Sequence, residues 1–217
     1  MVRVLSILFM TTSVLLLHPT GSPAAGKGNA KEIIKKVQKK YRELRSLKAD
    51  FEQEYVWELA GETRTVHGTL YLKSGDKYRI ETENDVVVTD GKTVWTYSKA
   101  NEQVIIDRLQ SSDENPLPAD LLFKYSEEYN PHFVAEEKLD GKKAFKLNLV
   151  PKDEEAFITS VQIWVDAHSW LTVKVRQVDI NDNVNTYFLR NAQQNIELEE
   201  SLFNFQIPPE TEVVDLR

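Results

Sequence analysis

The chain of 217 residues contains no cysteine, which excludes disulfide stapling, thiolate metal sites and a cysteine nucleophile. A lipid-anchored bacterial protein needs a cysteine at its cleavage site, so this chain, if exported, is not itself lipidated. Basic runs are missing as well, and the formal net charge is −7. An acidic chain without a clustered positive run is a poor partner for nucleic acid or for an anionic membrane surface. The four histidines, His18, His67, His132 and His168, each stand alone. No His-Glu-x-x-His or paired-ligand spacing occurs, so no metal site is expected. There is no Gly-x-Ser-x-Gly elbow and no glycine-rich phosphate cradle; the glycines stand singly at turns. Asp113-Glu114 and Asp153-Glu154-Glu155 read as solvated loops, because nothing around them would raise a carboxyl pKa. Neither catalysis nor a cofactor is expected.

Long apolar runs are confined to the first two dozen residues. Arg3 supplies a positive start, Val4 to Leu17 an apolar core, and Pro19 to Ala25 a small, turn-forming end, which together read as a secretory signal peptide over residues 1–24. That core is short of the roughly 20 apolar residues a spanning helix needs. Losing Arg3, the one charged residue of the segment, takes the net charge from −7 to −8. Residues 25–217 then form one domain, of a size that supports a single substantial core.

The mature chain begins with one strongly periodic helix, over Asn29 to Leu47. Ile33, Ile34, Val37, Tyr41, Leu44 and Leu47 share a face, and Lys31, Lys35, Lys36, Lys39 and Lys40 fill the other. Asn29 and Glu32 have capping-box spacing. From Ala49 the period changes to two, with Phe51, Tyr55, Trp57 and Leu59 alternating with acidic residues. Six strands follow one another with short polar turns and no helix between them, an antiparallel meander. The Asp90-Gly91 turn in Val86–Tyr97 is the strongest of its hairpin signals, and Asp140-Gly141 is another. A proline-flanked excursion over residues 111–131 interrupts the meander. It predicts a short helix from Ala119 to Tyr129, carrying Leu121, Leu122 and Tyr125, and such long connections are often functional. Strands resume at Phe133 and run to a final alternating segment, Phe203 to Pro209, placed as an edge strand by its two prolines. The count is about eleven strands, so the class is mainly β with helices (α+β).

The aromatic supply is the unusual feature. Tyr55, Trp57, Tyr78, Trp95, Tyr97, Trp164, Trp170, Phe188, Phe203 and Phe205 sit in strands or at their ends, where aromatics also favour an ordinary packed core. The functional alternative is a curved sheet lining an apolar cavity with the helical segments as its cover.

Several stretches together resemble the bacterial outer-membrane lipoprotein carrier protein family (LolA). They are Leu47-Lys-Ala-Asp-Phe-Glu-Gln53 after an amphipathic helix, Gly68-Thr-Leu-Tyr-Leu-Lys73, the strand Tyr78-Arg-Ile-Glu81, and Val88-Thr-Asp-Gly-Lys-Thr-Val-Trp-Thr-Tyr97. The resemblance closes with Phe203-Asn-Phe-Gln-Ile-Pro-Pro-Glu-Thr-Glu-Val-Val-Asp215. It implies an unclosed antiparallel β-barrel of about eleven strands under a helical lid. It also implies a monomeric periplasmic chaperone with no cofactor, which carries the acyl chains of lipoproteins from an inner-membrane ABC transporter complex to an outer-membrane receptor lipoprotein. A lipid- or protein-sensing regulatory domain of the same fold, or a shuttle for another lipid, is the alternative. The acyl-chain cavity would be lined by Phe51, Tyr55, Trp57, Leu70, Leu72, Tyr78, Ile80, Trp95, Leu121, Leu122, Phe145 and Trp164. Periodicity leaves open which face of each strand meets the chains. One departure stands out: where the family often has Lys-Arg-Pro or Lys-Lys-Pro, with an arginine that helps latch the lid, this chain has Lys73, Ser74 and Gly75, and serine lacks arginine's charged fork.

Overall fold

The computed structural model describes residues 29–109 and 128–217. The signal peptide, Leu121 and Leu122 therefore lie outside the described residues.

The first element is α1 (Ala30–Glu43), capped as its sequence predicts: the Asn29 side chain accepts from the Glu32 N–H at 3.3 Å. Such a cap contributes about 1 kcal/mol. The helix is shorter than its apolar period suggests. Leu44 is its C-cap, and Leu47 already belongs to β1 (Ser46–Trp57). Leu47 continues the helical period of Tyr41 and Leu44, but it also starts the alternation Leu47, Ala49, Phe51. Pairing with Leu72 on one side and Gln194 on the other decides for the strand.

The first meander continues through β2 (Glu62–Lys73), β3 (Lys77–Thr82), β4 (Asp85–Thr89), β5 (Thr93–Ser98) and β6 (Gln103–Arg108). The second contains β7 (Tyr129–Leu139), β8 (Lys142–Pro151), β9 (Ile158–Asp166), β10 (Thr172–Asp179) and β11 (Val184–Gln194). Tyr129, expected to end a helix, opens β7 instead, and Asn130-Pro131 lies inside that strand. Proline is tolerated there because β7 is an edge. β1 pairs antiparallel with both β2 and β11 and so joins the two meanders. The chain ends in a 3-10 turn (Glu200–Phe203) and β12 (Glu212–Asp215), which adds parallel to β6. The expected edge strand at Phe203–Pro209 is replaced by that turn, and the terminal strand forms later. The result is one twelve-stranded sheet, ordered β12-β6-β5-β4-β3-β2-β1-β11-β10-β9-β8-β7. Its edges β12 and β7 do not pair, so the barrel is unclosed, as expected.

Turn chemistry sets the hairpins. Asp140 (φ 50°) and Gly141 (φ 77°) are both left-handed, the pair that matches strand twist in a tight β-turn. At Asp90-Gly91-Lys92 the Asp90 carboxylate accepts from the Lys92 and Thr93 N–H groups, both at 2.9 Å. Partial burial raises the Asp90 pKa, but these backbone donors outweigh it and hold the carboxyl below its ordinary value. Gly91 has φ 96°, and a Cβ there would collide with the Gly75 carbonyl of the β2–β3 turn. Only glycine meets both demands.

Candidate functional site

Residues paired directly across neighbouring strands project from the same sheet face, so the register sorts the side chains. Leu47, Ala49 and Phe51 of β1 pair with Leu72, Leu70 and Gly68 of β2. Leu70 and Leu72 pair onward with Ile80 and Tyr78, and Ile80 pairs with Val87. On the other side Phe51 pairs with Leu189, and the face continues through Val175, Ile163 and Leu147. All of these except Gly68 belong to one cluster of core and packed-on apolar residues, which α1 joins with Ile33, Ile34 and Val37. This inner face is the candidate site.

Of the twelve residues expected at a cavity, Phe51, Leu70, Leu72, Tyr78, Ile80 and Phe145 are brought together in this cluster. Tyr55 is on the same face further along β1, and Trp57 ends the strand with 48% exposure. Trp95 and Trp164 are on the other face. Trp95 pairs with Val88 and Ile106, which lie outside the main cluster. Trp164 pairs with Lys146 and Lys174, whose ammonium groups sit 4.9 and 4.5 Å from its ring centroid, and its indole N–H donates to Glu137 at 2.8 Å. Alternation separates neighbours in sequence but says nothing about which face is inside, and both tryptophans project from the face opposite to Leu70, Leu72 and Leu147. Burial of the Lys174 ammonium, and Lys146 beside it, lower the Lys174 pKa.

The inner face has three local features. Phe51 lies across Gly68, where a Cβ would strike the Phe51 ring and the Glu81 carbonyl. Phe145 stacks on Trp170 at 5.6 Å, and Trp170 in turn lies under the Lys36 ammonium at 4.2 Å. Trp170 holds φ 59°, which is uncommon for a bulky residue. The turn before it is fixed by Asp166, whose carboxylate accepts from His168 N–H, Ser169 N–H and Ser169 Oγ. Past Phe51 the face becomes polar: Gln53 donates to Asn185 at 3.1 Å, and Asn185 donates to the Tyr187 hydroxyl at 2.6 Å. Burial pushes the Tyr187 pKa up to about 12 against that hydrogen bond. The apolar part of the face shares one cluster with Ile33, Ile34 and Val37 of α1.

A cavity of about 210 Å³ opens where α1 ends, between Tyr41, Leu44 and the β2–β3 turn. In that turn Lys73 and Lys77 each meet Glu200 at 2.7 Å, and Lys73 also donates to the Leu198 carbonyl at 2.9 Å. The cations flanking Ser74-Gly75 therefore hold the C-terminal segment. Hydrogen bonds from both lysines lower the Glu200 pKa to about 2. Among the described residues no cluster of three or more His, Asp or Glu is placed to hold a metal.

Residues 42–206 match the family model described as outer membrane lipoprotein carrier protein LolA. The chain is 27% identical over 185 residues to an uncharacterized protein of Methanocaldococcus jannaschii; the match covers 84% of this chain and 52% of that one, so the chain spans about half of that relative's length. It is 25% identical over 189 residues to the outer-membrane lipoprotein carrier protein of Glaesserella parasuis, covering 86% of this chain and 87% of that protein. The crystal structure of an uncharacterized conserved protein from Thermus thermophilus has the same fold, with a TM-score of 0.60 at 15% identity over 86% of this chain and 98% of that one.

Proposed function

The chain belongs to the outer membrane lipoprotein carrier (LolA) family, and on that premise we propose that it is a non-catalytic periplasmic carrier. It takes the acyl chains of lipoproteins released by an inner-membrane ABC transporter complex and hands them to an outer-membrane receptor lipoprotein. The reading of residues 1–24 as a signal peptide supports export, with residues 25–217 as the carrier domain. The observation that carries the proposal is the single apolar inner face of an unclosed sheet, covered by an amphipathic helix.

The energetics fit such a task. Each methylene exposed to water costs about 0.8 kcal/mol, so one long acyl chain costs on the order of 12 kcal/mol. A crossing of the aqueous periplasm needs an apolar container. Phe51, Leu70, Leu72, Tyr78, Ile80 and Phe145 are the proposed acyl contacts, with Tyr55 beyond them. Trp95 and Trp164 are assigned none. The cavity of about 210 Å³ is little larger than one that holds benzene, so loading requires α1 to lift away and surrender its own Ile33, Ile34 and Val37 contacts. A cover that is part of no strand ladder and is anchored to the sheet's chain at one end suits that cycle.

Ile80 and Val87 are half-buried on the inner face, where a carboxylate is accommodated in the empty protein but opposes an acyl chain. Ile80→Glu and Val87→Glu should reduce capture of lipoprotein from inner-membrane vesicles at least tenfold. His67→Glu, exposed on the outer face, should leave it unchanged. Normal capture by folded inner-face variants, checked by circular dichroism, would remove the inner face from the mechanism.

A further inference from the structure

We propose that the cavity at the end of α1 takes the phosphate head group of an anionic acyl lipid, so that phospholipid of this type is a cargo in its own right. This rests on the reading of the inner face as an acyl container and adds a head-group preference to it.

The cavity's lining combines two unlike kinds of residue. Leu44, Leu72 and Tyr78 belong to the main apolar cluster. Arg42, Arg45, Lys73 and Lys77 line it as well. These cations come from the helix end and from a turn some thirty positions later, so no basic run marks them in the sequence; the fold assembles them. Lys73 and Lys77 are already engaged by Glu200. The guanidinium groups of Arg42 and Arg45 have no partner among the described residues, and both residues are exposed.

Arg45 is nonetheless firmly placed. Its N–H donates to Asn195 Oδ1 at 2.9 Å, and its carbonyl accepts from the Ser74 N–H at 3.1 Å. The backbone is clamped between the end of β11 and the β2–β3 turn while the charged fork stays unused. A helix C-terminus attracts cations without any ligand, which accounts for Arg42. It does not account for Arg45, which lies beyond the last helical turn. Asp76, Glu200 and the helix end oppose an anion here, but four cations face those two carboxylates, and the excess is carried by the two free arginines. On a chain of net charge −7 this is a local arrangement, not the general surface. Guanidinium pairs bind phosphate oxygens through parallel N–H bonds, and the apolar lining residues receive the start of the acyl chain. Head group and chain would then each meet the kind of lining residue that suits it.

The test is calorimetric titration of the mature chain with lysophosphatidylglycerol, with lysophosphatidylcholine of equal chain length, and with inorganic phosphate, all below micelle concentration. The expected result is at least tenfold tighter binding of the glycerol lipid than of the choline lipid, with inorganic phosphate weaker than either. The double variant Arg42→Gln, Arg45→Gln should lose that preference and keep its affinity for the choline lipid. Lys31→Gln with Lys35→Gln, the same charge change on the solvent face of α1, should keep the preference. Equal affinity for the two lipids, a preference that survives the double arginine change, or phosphate binding as tightly as lipid overturns the head-group site and leaves the acyl container standing. Failure of the folded wild-type chain to bind either lipid overturns the container and the head-group site together.

Discussion

Position 68 shows how much of this site depends on a pairing that single residues do not announce. The alternation of Val66, Gly68, Leu70 and Leu72 was legible in the sequence and places all four on one face. The reason for glycine was not, because it lies in the Phe51 ring across the strand and the Glu81 carbonyl beside it. Gly68→Ala should cost about 1–3 kcal/mol through overpacking, and Phe51→Leu in the same chain should recover part of that loss; urea melts of the two single variants and the double variant measure the coupling. Asp166 illustrates a charge whose work is local. Burial raises its pKa, while the Ser169 N–H, Ser169 Oγ and His168 N–H bonds outweigh burial and lower it below 3.8. A depressed folded pKa means stability that is present above the unfolded value and lost as pH falls toward the folded one. Asp166→Asn should therefore destabilise the chain by about 1–3 kcal/mol at pH 7, with the deficit shrinking below pH 3.8. A deficit that is constant from pH 7 to about pH 2.5 would mean the carboxylate charge is not the source.

Among the elements, the C-terminal segment departs most from its sequence pattern. Phe203 and Phe205 alternate like a strand, yet Phe203 is 1% exposed in a 3-10 turn and Phe205 packs on Tyr97 at 5.8 Å. The turn lies against β3 and β4, and Arg79 donates to the Leu202 carbonyl at 3.3 Å. Tyr71, Arg79, Val88, Trp95 and Ile106 form one cross-strand row on the outer face. The segment thus covers a second apolar patch, including Val86, Val88, Val104 and Ile106, all buried. This explains the aromatic surplus that the sequence left ambiguous: the inner face takes one share and the outer cover another. The hairpin at Asp90-Gly91 was correctly legible as a turn, but parity alone could not send Trp95 outward. Phe203→Ala should cost about 3–5 kcal/mol, measured by urea unfolding. Its effect on lipid binding, once compared at equal folded fraction, should be small if the inner face is the proposed acyl container, because the sheet separates the outer patch from that face.

For the molecule as a whole, the arrangement divides into a continuous ladder and a cover. β1 is hydrogen-bonded on both sides, to β2 over its full length and to β11 from Leu47 to Val56, so either meander can leave only by breaking a long ladder. α1 is in no such ladder: its side chains hold it, with Ala30, Ile33, Ile34 and Val37 buried, Tyr41 packed on the core and Lys36 over Trp170 among them. Of its four buried residues, Ala30 adds little and Ile33, Ile34 and Val37 contribute roughly 1.5–3 kcal/mol each, a small part of the burial that the twelve-stranded sheet supplies. Helix opening should therefore be a sub-global event, cheaper than unfolding of the sheet. Native-state hydrogen exchange should give α1 amides an opening free energy several kcal/mol below that of β1 and β11 amides. Val37→Ala should lower the helix value while leaving the sheet values nearly unchanged relative to one another. Acyl ligand that replaces the helix contacts on the inner face should speed α1 exchange further and slow that of β1. Equal opening free energies for α1 and β1 would show that helix and sheet come apart only together, and loading would then have to proceed without lifting the helix.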